Sequence, residues 1–302
     1  MGLTEHNGIS IAQIVVFIPA LAVSIFLCIR HGFGRNAGWL LIVIFSLARV
    51  IGASLQLATI SQPANVSLYF GALTLQGIGL SNLIVALLAL INRAVASIEK
   101  ARSAVINPRV LRVAQVVVLV ALILGAVGGS NSGNQFAQTG EYVISPLTQA
   151  GTGLTIAGFV LLVLATVVVG MSVSHAEPGE KRVVGAVALC LPFLLVRLIY
   201  SAVGTYQPDS VFNSRTGDVN VFLGTAVVEE IIIVLILEAM GLTLNVLPKS
   251  ETSTSSTSMT GLSLLGHLAN GRDDRRRRRR SNHRSRRYDG YEMPSRDSPH
   301  GA

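Results

Sequence analysis

Apolar residues come in seven long runs, and polar residues are confined to the short stretches between them. The runs cover residues 9–29, 38–60, 67–91, 111–129, 147–171, 183–203 and 219–243. None shows the strict alternation of a half-buried strand, and each has the length of a membrane-crossing helix, which needs about 20 apolar residues. The connections hold Gly, Asn, Ser and Pro, the residues that turn a chain. The pattern predicts an all-α bundle of seven transmembrane helices over 1–248, followed by a tail over 249–302. The first run follows MGLTEHNG, which carries Glu5 and no Lys or Arg. A secretory signal begins with positive charge, so the first helix is expected to be retained.

Composition sharpens that picture. The chain has 302 residues, 50% hydrophobic and only 13% charged, against about a quarter charged in an ordinary soluble domain. Its net charge of +8 is uneven. Residues 1–248 hold 12 Lys/Arg and 10 Asp/Glu, whereas residues 249–302 hold 12 and 6. The basic character therefore belongs mostly to the tail. Two cysteines, Cys28 and Cys190, both lie in apolar runs, where reduced, buried thiols are expected rather than a disulfide framework.

Loop charge predicts the orientation. The connections after runs 1, 3 and 5 contain Arg30, Arg35, Arg93, Lys100, Arg102, Arg109, Arg112, Lys181 and Arg182, and those on the other side contain only Arg215. Positive loops stay in the cytoplasm, so the amino terminus is expected outside and the tail inside, in the plasma membrane or another endomembrane. Asn65-Val66-Ser67 is a glycosylation sequon, set so near the third run that it is expected to stay unmodified.

Charged residues inside the runs are the candidate chemistry. Arg49 lies in run 2, Arg197 in run 6, and Glu229, Glu230 and Glu238 in run 7. Each costs about 2.5–3.5 kcal/mol at the bilayer centre on the insertion scale, so each needs a partner or water. Arg49, Arg197 and Glu230 fall within about one helical turn of one another in depth, at about 1.5 Å per residue. Arg197 is expected to pair with Glu229 or Glu230, and Arg49 to take the other carboxylate if helices 2 and 7 adjoin. Glu238 lies nearer the cytoplasm, where water is within reach. Gln56, Gln76 and Asn82 add polar groups in runs 2 and 3. The set reads either as clasps between helices or as a polar site among helices 2, 3, 6 and 7.

Several absences narrow the function. The runs contain no Lys for a retinal Schiff base, and the six His residues fall outside them. No nucleotide-binding loop or Ser/His/Asp arrangement occurs, so neither an enzyme nor a bound cofactor is expected. Gly77-Ile78-Gly79 is a packing notch, and Pro19 and Pro192 are expected to kink helices 1 and 6. The tail carries the Ser/Thr run 250–260 and then Arg275, Arg276, Arg277, Arg278, Arg279 and Arg280. This composition reads as a disordered basic tail that attaches to anionic lipid, at about 1 kcal/mol per basic residue, and that phosphorylation would release. Nucleic acid is not expected as a partner, because the arginines lack interleaved aromatics.

Three segments carry a family resemblance: GWLLIVIFSLARVIGASLQLA (38–58), PFLLVRLIYSAVGTY (192–206) and FNSRTGDVNVFLGTAVVEEIIIVLILEAMGL (212–242). Over residues 9–245 the chain resembles uncharacterised seven-helix integral membrane proteins of filamentous fungi. Arg49, the Pro192…Arg197…Tyr200 cluster and the run 7 glutamate match what that family displays. A fainter similarity reaches fungal lipid-translocating exporter-like proteins, but Ser201 and Gly204 stand where those have a second arginine and a following glutamate. The resemblance implies architecture and a fungal origin, with no established activity. Three functions remain open. A receptor-like sensor with a cytoplasmic signalling partner comes first, a lipid or small-molecule transporter second, and a scaffold acting through the tail third.

Overall fold

Helix starts and stops are written locally. Asn107 accepts a hydrogen bond from the Arg109 amide at 3.0 Å, and Ser145 accepts one from the Leu147 amide at 3.3 Å. Each cap precedes a proline at the first helical position, where the missing N–H costs nothing. Gly140 closes its helix in the left-handed region at φ 73°, open to glycine without strain, and its N–H reaches the Phe136 carbonyl.

The computed structural model describes residues 5–31, 37–63, 65–101, 107–172, 178–207 and 219–244. The tail, with Arg275–Arg280 and the Ser/Thr run, lies outside the described residues, as do Arg35, Arg102 and Arg215. The described elements are all helical. They are α1 (Glu5–His31), α2 (Ala37–Ala58), α3 (Val66–Ala101), α4 (Pro108–Thr139), α5 (Pro146–Met171) and α6 (Pro178–Tyr206). A seventh helix, α7, is made of three consecutive stretches: Val219–Phe222, a π-helical turn Leu223–Val227, and Val228–Thr243.

Six of these helices, α1 to α6, are long and apolar enough to cross a membrane. The seventh expected span is the exception. Its π turn interrupts the α-helical ladder, and its last stretch holds all three glutamates. Two boundaries also move. The third helix runs ten residues beyond the predicted 91, to Ala101, and the fourth ten beyond 129, to Thr139. At about 1.5 Å per residue, the 36 residues of α3 span roughly 54 Å, well beyond a hydrocarbon core of about 30 Å. Lys100 and Lys181 therefore lie within helices, in turns beyond the apolar runs, and His6 and His31 belong to α1. Turns that continue past the apolar run keep their backbone hydrogen bonds, so hydropathy alone does not mark where a helix ends. Pro19 and Pro192 sit inside α1 and α6.

Consecutive helices from α1 to α6 pack against one another, α7 packs against α6 and α1, and α3 also contacts α5 and α6. The inner part of α3 is the central post: Leu83, Ile84, Leu87, Leu88 and Ile91 are fully buried. Outward-facing Val15, Val113, Leu164 and Ile199 are each at least half exposed, as lipid-facing positions of a membrane bundle are. Cys28 and Cys190 are free and buried.

One end of the bundle is basic. There Arg93 of α3 donates from Nε to Glu180 of α6 at 2.9 Å, and both side chains are buried. Arg93 thus belongs to a buried ion pair rather than to a loop. At the same end Arg30 donates to the Leu242 carbonyl at 2.9 Å, where a cation meets the negative end of the α7 dipole. His31 stacks on Trp39 and lies 3.2 Å from the Gly241 carbonyl. These contacts tie α1, α2 and α7 together.

Candidate functional site

Arg49 leaves α2 and reaches across the face of α3 towards α7. Its route is opened by Gly79: a methyl group there would lie on the guanidinium and against Phe45. The arginine lies over the Phe45 ring at 4.9 Å from its centroid. At the far end Arg49 Nη2 donates to Glu230 Oε1 at 2.5 Å, and Arg197 Nε of α6 donates to that same oxygen at 3.0 Å. The expectation that the arginines would divide between two carboxylates is therefore corrected. A long side chain passing a glycine brings Arg49 to α7 without α2 having to adjoin it.

Gln76 of α3 completes the centre. Its Oε1 accepts from Arg49 Nη1 at 2.8 Å, and its carbonyl accepts from Arg49 at 3.2 Å and from Arg197 Nη2 at 3.3 Å. Arg197 Nη1 donates to Ser201 Oγ, one turn along α6, at 2.6 Å. Arg49 and Arg197 are each 2% exposed and Glu230 is 0% exposed. Charges this far from water persist only when paired and hydrogen-bonded. The four residues join α2, α3, α6 and α7 through one carboxylate.

The remaining predicted residues lie elsewhere. Glu229 is buried beside Glu230 in sequence but forms no ion pair among the described residues, and its Oε2 has no hydrogen-bond partner. Glu238 does not meet water: it is buried and accepts from Ser24 Oγ of α1 at 2.7 Å. Asn82 donates to the Leu41 carbonyl at 3.0 Å and serves the α2–α3 contact. Gln56 borders a small cavity of about 40 Å³ with His6, Gln13 and Phe222.

The larger cavity, about 160 Å³, lies among α3, α4, α5 and α6. It lies to one side of the polar centre that joins α2, α3, α6 and α7. Its polar lining comes from Thr74, Ser81, Thr148, Thr152, Thr155 and Ser201, and the charged centre reaches it through Gln76 and Arg197. Ser81 and Thr155 share a buried hydrogen bond of 2.9 Å, and Tyr206 of α6 donates to the Gln149 carbonyl of α5 at 2.8 Å. Gln76 lines both cavities.

Residues 3–247 match a family described as a domain of unknown function, DUF7702. The chain belongs to that family. The match spans all the described residues, including both cavities and the Arg49–Glu230–Arg197 centre. No curated protein and no solved structure matches the chain.

Sequence reasoning missed the hydroxyl lining and the Arg93–Glu180 pair. Ser201 was within reach, being four residues from Arg197 and so on the same helix face. Glu180, an acid beside Lys181 and Arg182 in the first turn of α6, was the signal for the second pair.

Proposed function

We propose that this membrane protein is a receptor-like sensor that takes a small solute into the cavity among α3–α6. The reading places the amino terminus and the cavity outside and the basic end in the cytoplasm. The observation that carries it is the meeting of cavity and charged centre. The cavity reaches Arg197 and Gln76, and those two residues connect α3 and α6 to α2 and α7 through Glu230. A solute that competes for either residue acts directly on the contact holding four helices. Towards the basic end the apolar post of α3 fills the bundle, so the arrangement favours a binding site over a through-path.

Transport is the second reading, favoured by the buried charges themselves, which often mark solute pathways. A scaffold acting through anionic-lipid attachment of the tail is the third. One preparation separates the first two. A fluorophore is placed on Val110→Cys, an exposed position in the first turn of α4 near the basic end. The two native cysteines are buried and stay unlabelled. In proteoliposomes, a panel of small polar and acidic solutes is added from outside. A saturable fluorescence change without flux supports sensing. Flux that is lost in a folded Arg197→Gln variant overturns sensing in favour of transport.

A further inference from the structure

We infer that the cavity among α3–α6 is a binding site for a small monocarboxylate, its carboxylate on Arg197 and its apolar body among the wall residues. The inference rests on the receptor reading and adds the ligand's chemical class. Three observations converge on it.

The first is donor capacity. A guanidinium carries five N–H groups. Arg197 uses one towards Glu230, one towards Ser201 and one towards the Gln76 carbonyl. One N–H on each terminal nitrogen remains, at a side chain that is almost wholly buried and lines the cavity. Gln76 adds another donor. Its Oε1 is held by Arg49, which fixes which way the amide faces, and its Nε2 is buried with no partner. The site thus offers donors to an acceptor-rich group.

The second is charge. Arg49 and Arg197 share one carboxylate oxygen, so among the described residues one of the two positive charges has no salt-bridged counter-ion of its own. An anion at Arg197 supplies it in a setting where unpaired charge is costly, and a planar carboxylate suits the guanidinium fork.

The third is size and wall chemistry. About 160 Å³ is close to the roughly 150 Å³ of an engineered cavity that accepts benzene. The walls alternate hydroxyls with apolar Phe70, Ile78, Leu80 and Leu122. That volume accommodates one ring or a short branched chain.

The test uses the full chain in detergent, with benzoate as the probe and benzamide as its neutral counterpart of the same shape. Gly77 lines the cavity, and a Cβ added there meets nothing within 4 Å, so Gly77→Leu occupies the site without displacing a neighbour at its Cβ. The expected result is saturable benzoate binding by calorimetry and a rise in Tm of several degrees. Benzamide binds at least tenfold more weakly. Gly77→Leu keeps the wild-type Tm but loses the benzoate response, and Arg197→Lys weakens benzoate at least tenfold.

Equal binding of benzamide, lost in Gly77→Leu, overturns the carboxylate assignment and leaves the receptor reading standing with a neutral solute. Binding of octadecanoate but not benzoate overturns the small-solute assignment in favour of a membrane-derived acid. Benzoate binding unchanged in Gly77→Leu places the ligand elsewhere and overturns the site. Silence of the Val110→Cys reporter to bound benzoate defeats the receptor reading while leaving the carboxylate site intact.

Discussion

Glu230 is the residue on which the charged centre depends, and Glu230→Gln isolates its charge while keeping its shape. In the variant, two guanidinium groups, each 2% exposed, lose the only carboxylate that pairs with either among the described residues. Removing one partner of a buried pair costs about 3–5 kcal/mol, chiefly because the other charge is left buried. Two cations are stranded here, which argues for the upper part of that range. The bilayer argues for the lower part, because helices separated in lipid still find polar partners. Taking about 3 kcal/mol, and about 2–4 °C per kcal/mol for a chain of this size, the expected fall in Tm is about 6–12 °C. Glu229→Gln is the matched control. Its side chain forms no ion pair among the described residues, and its Tm is expected within about 2 °C of wild type. The assay is thermal unfolding of the solubilised chain with a thiol-reactive dye, since Cys28 and Cys190 are both buried until the bundle opens. Adding Arg197→Gln to Glu230→Gln is expected to restore part of the loss, because it removes one stranded charge. A Glu230→Gln chain melting within about 2 °C of wild type, or a Glu229→Gln chain falling equally far, would refute the reasoning.

Four other outcomes can be read in the same assay or beside it. Gly79→Ala puts a methyl group on the Arg49 guanidinium and is expected to cost about 1–3 kcal/mol as overpacking. Gly77→Ala meets open space and is expected to be neutral, or stabilising by up to about 1 kcal/mol through helix propensity. Arg93→Gln and Glu180→Gln each break the second buried pair and are expected to cost about 3 kcal/mol, while the double variant costs less than the sum. Ending the chain after Leu247 is expected to abolish salt-sensitive binding to phosphatidylserine vesicles and to leave the Tm unchanged. Vesicle co-sedimentation at two salt concentrations reads the first effect.

Depth within the bundle was legible in the sequence, but angle around each helix was not. Counting residues from helix ends placed Arg49, Arg197 and Glu230 at one level, because rise per residue is constant whatever the neighbours are. Which way each side chain points depends on phase, and phase is read from polar residues that mark the outward face. In α7 the stretch from Ile231 to Leu237 contains no polar residue, so nothing in the pattern separates inside from outside. The folded chain resolves it: Glu229, Glu230, Ile233, Val234, Leu237, Glu238, Met240 and Gly241 form one broad buried face, in which Glu229 lies at one edge. The expected division of two arginines between two carboxylates failed on this point, since Glu229 and Glu230 differ by about 100° in direction. The larger cavity beside that centre was hidden for a related reason. Charged residues drew attention to helices 2, 3, 6 and 7, whereas the space is lined mostly by Ser and Thr of α3, α5 and α6. Several of these residues satisfy their hydroxyls on their own backbone, as Thr152 does on the Thr148 carbonyl, Thr155 on the Gly151 carbonyl and Thr205 on the Ser201 carbonyl. Hydroxyls that bond to their own helix read as ordinary apolar-run residues in a sequence. Only their convergence from separate helices onto Arg197 and Gln76 turns them into a site.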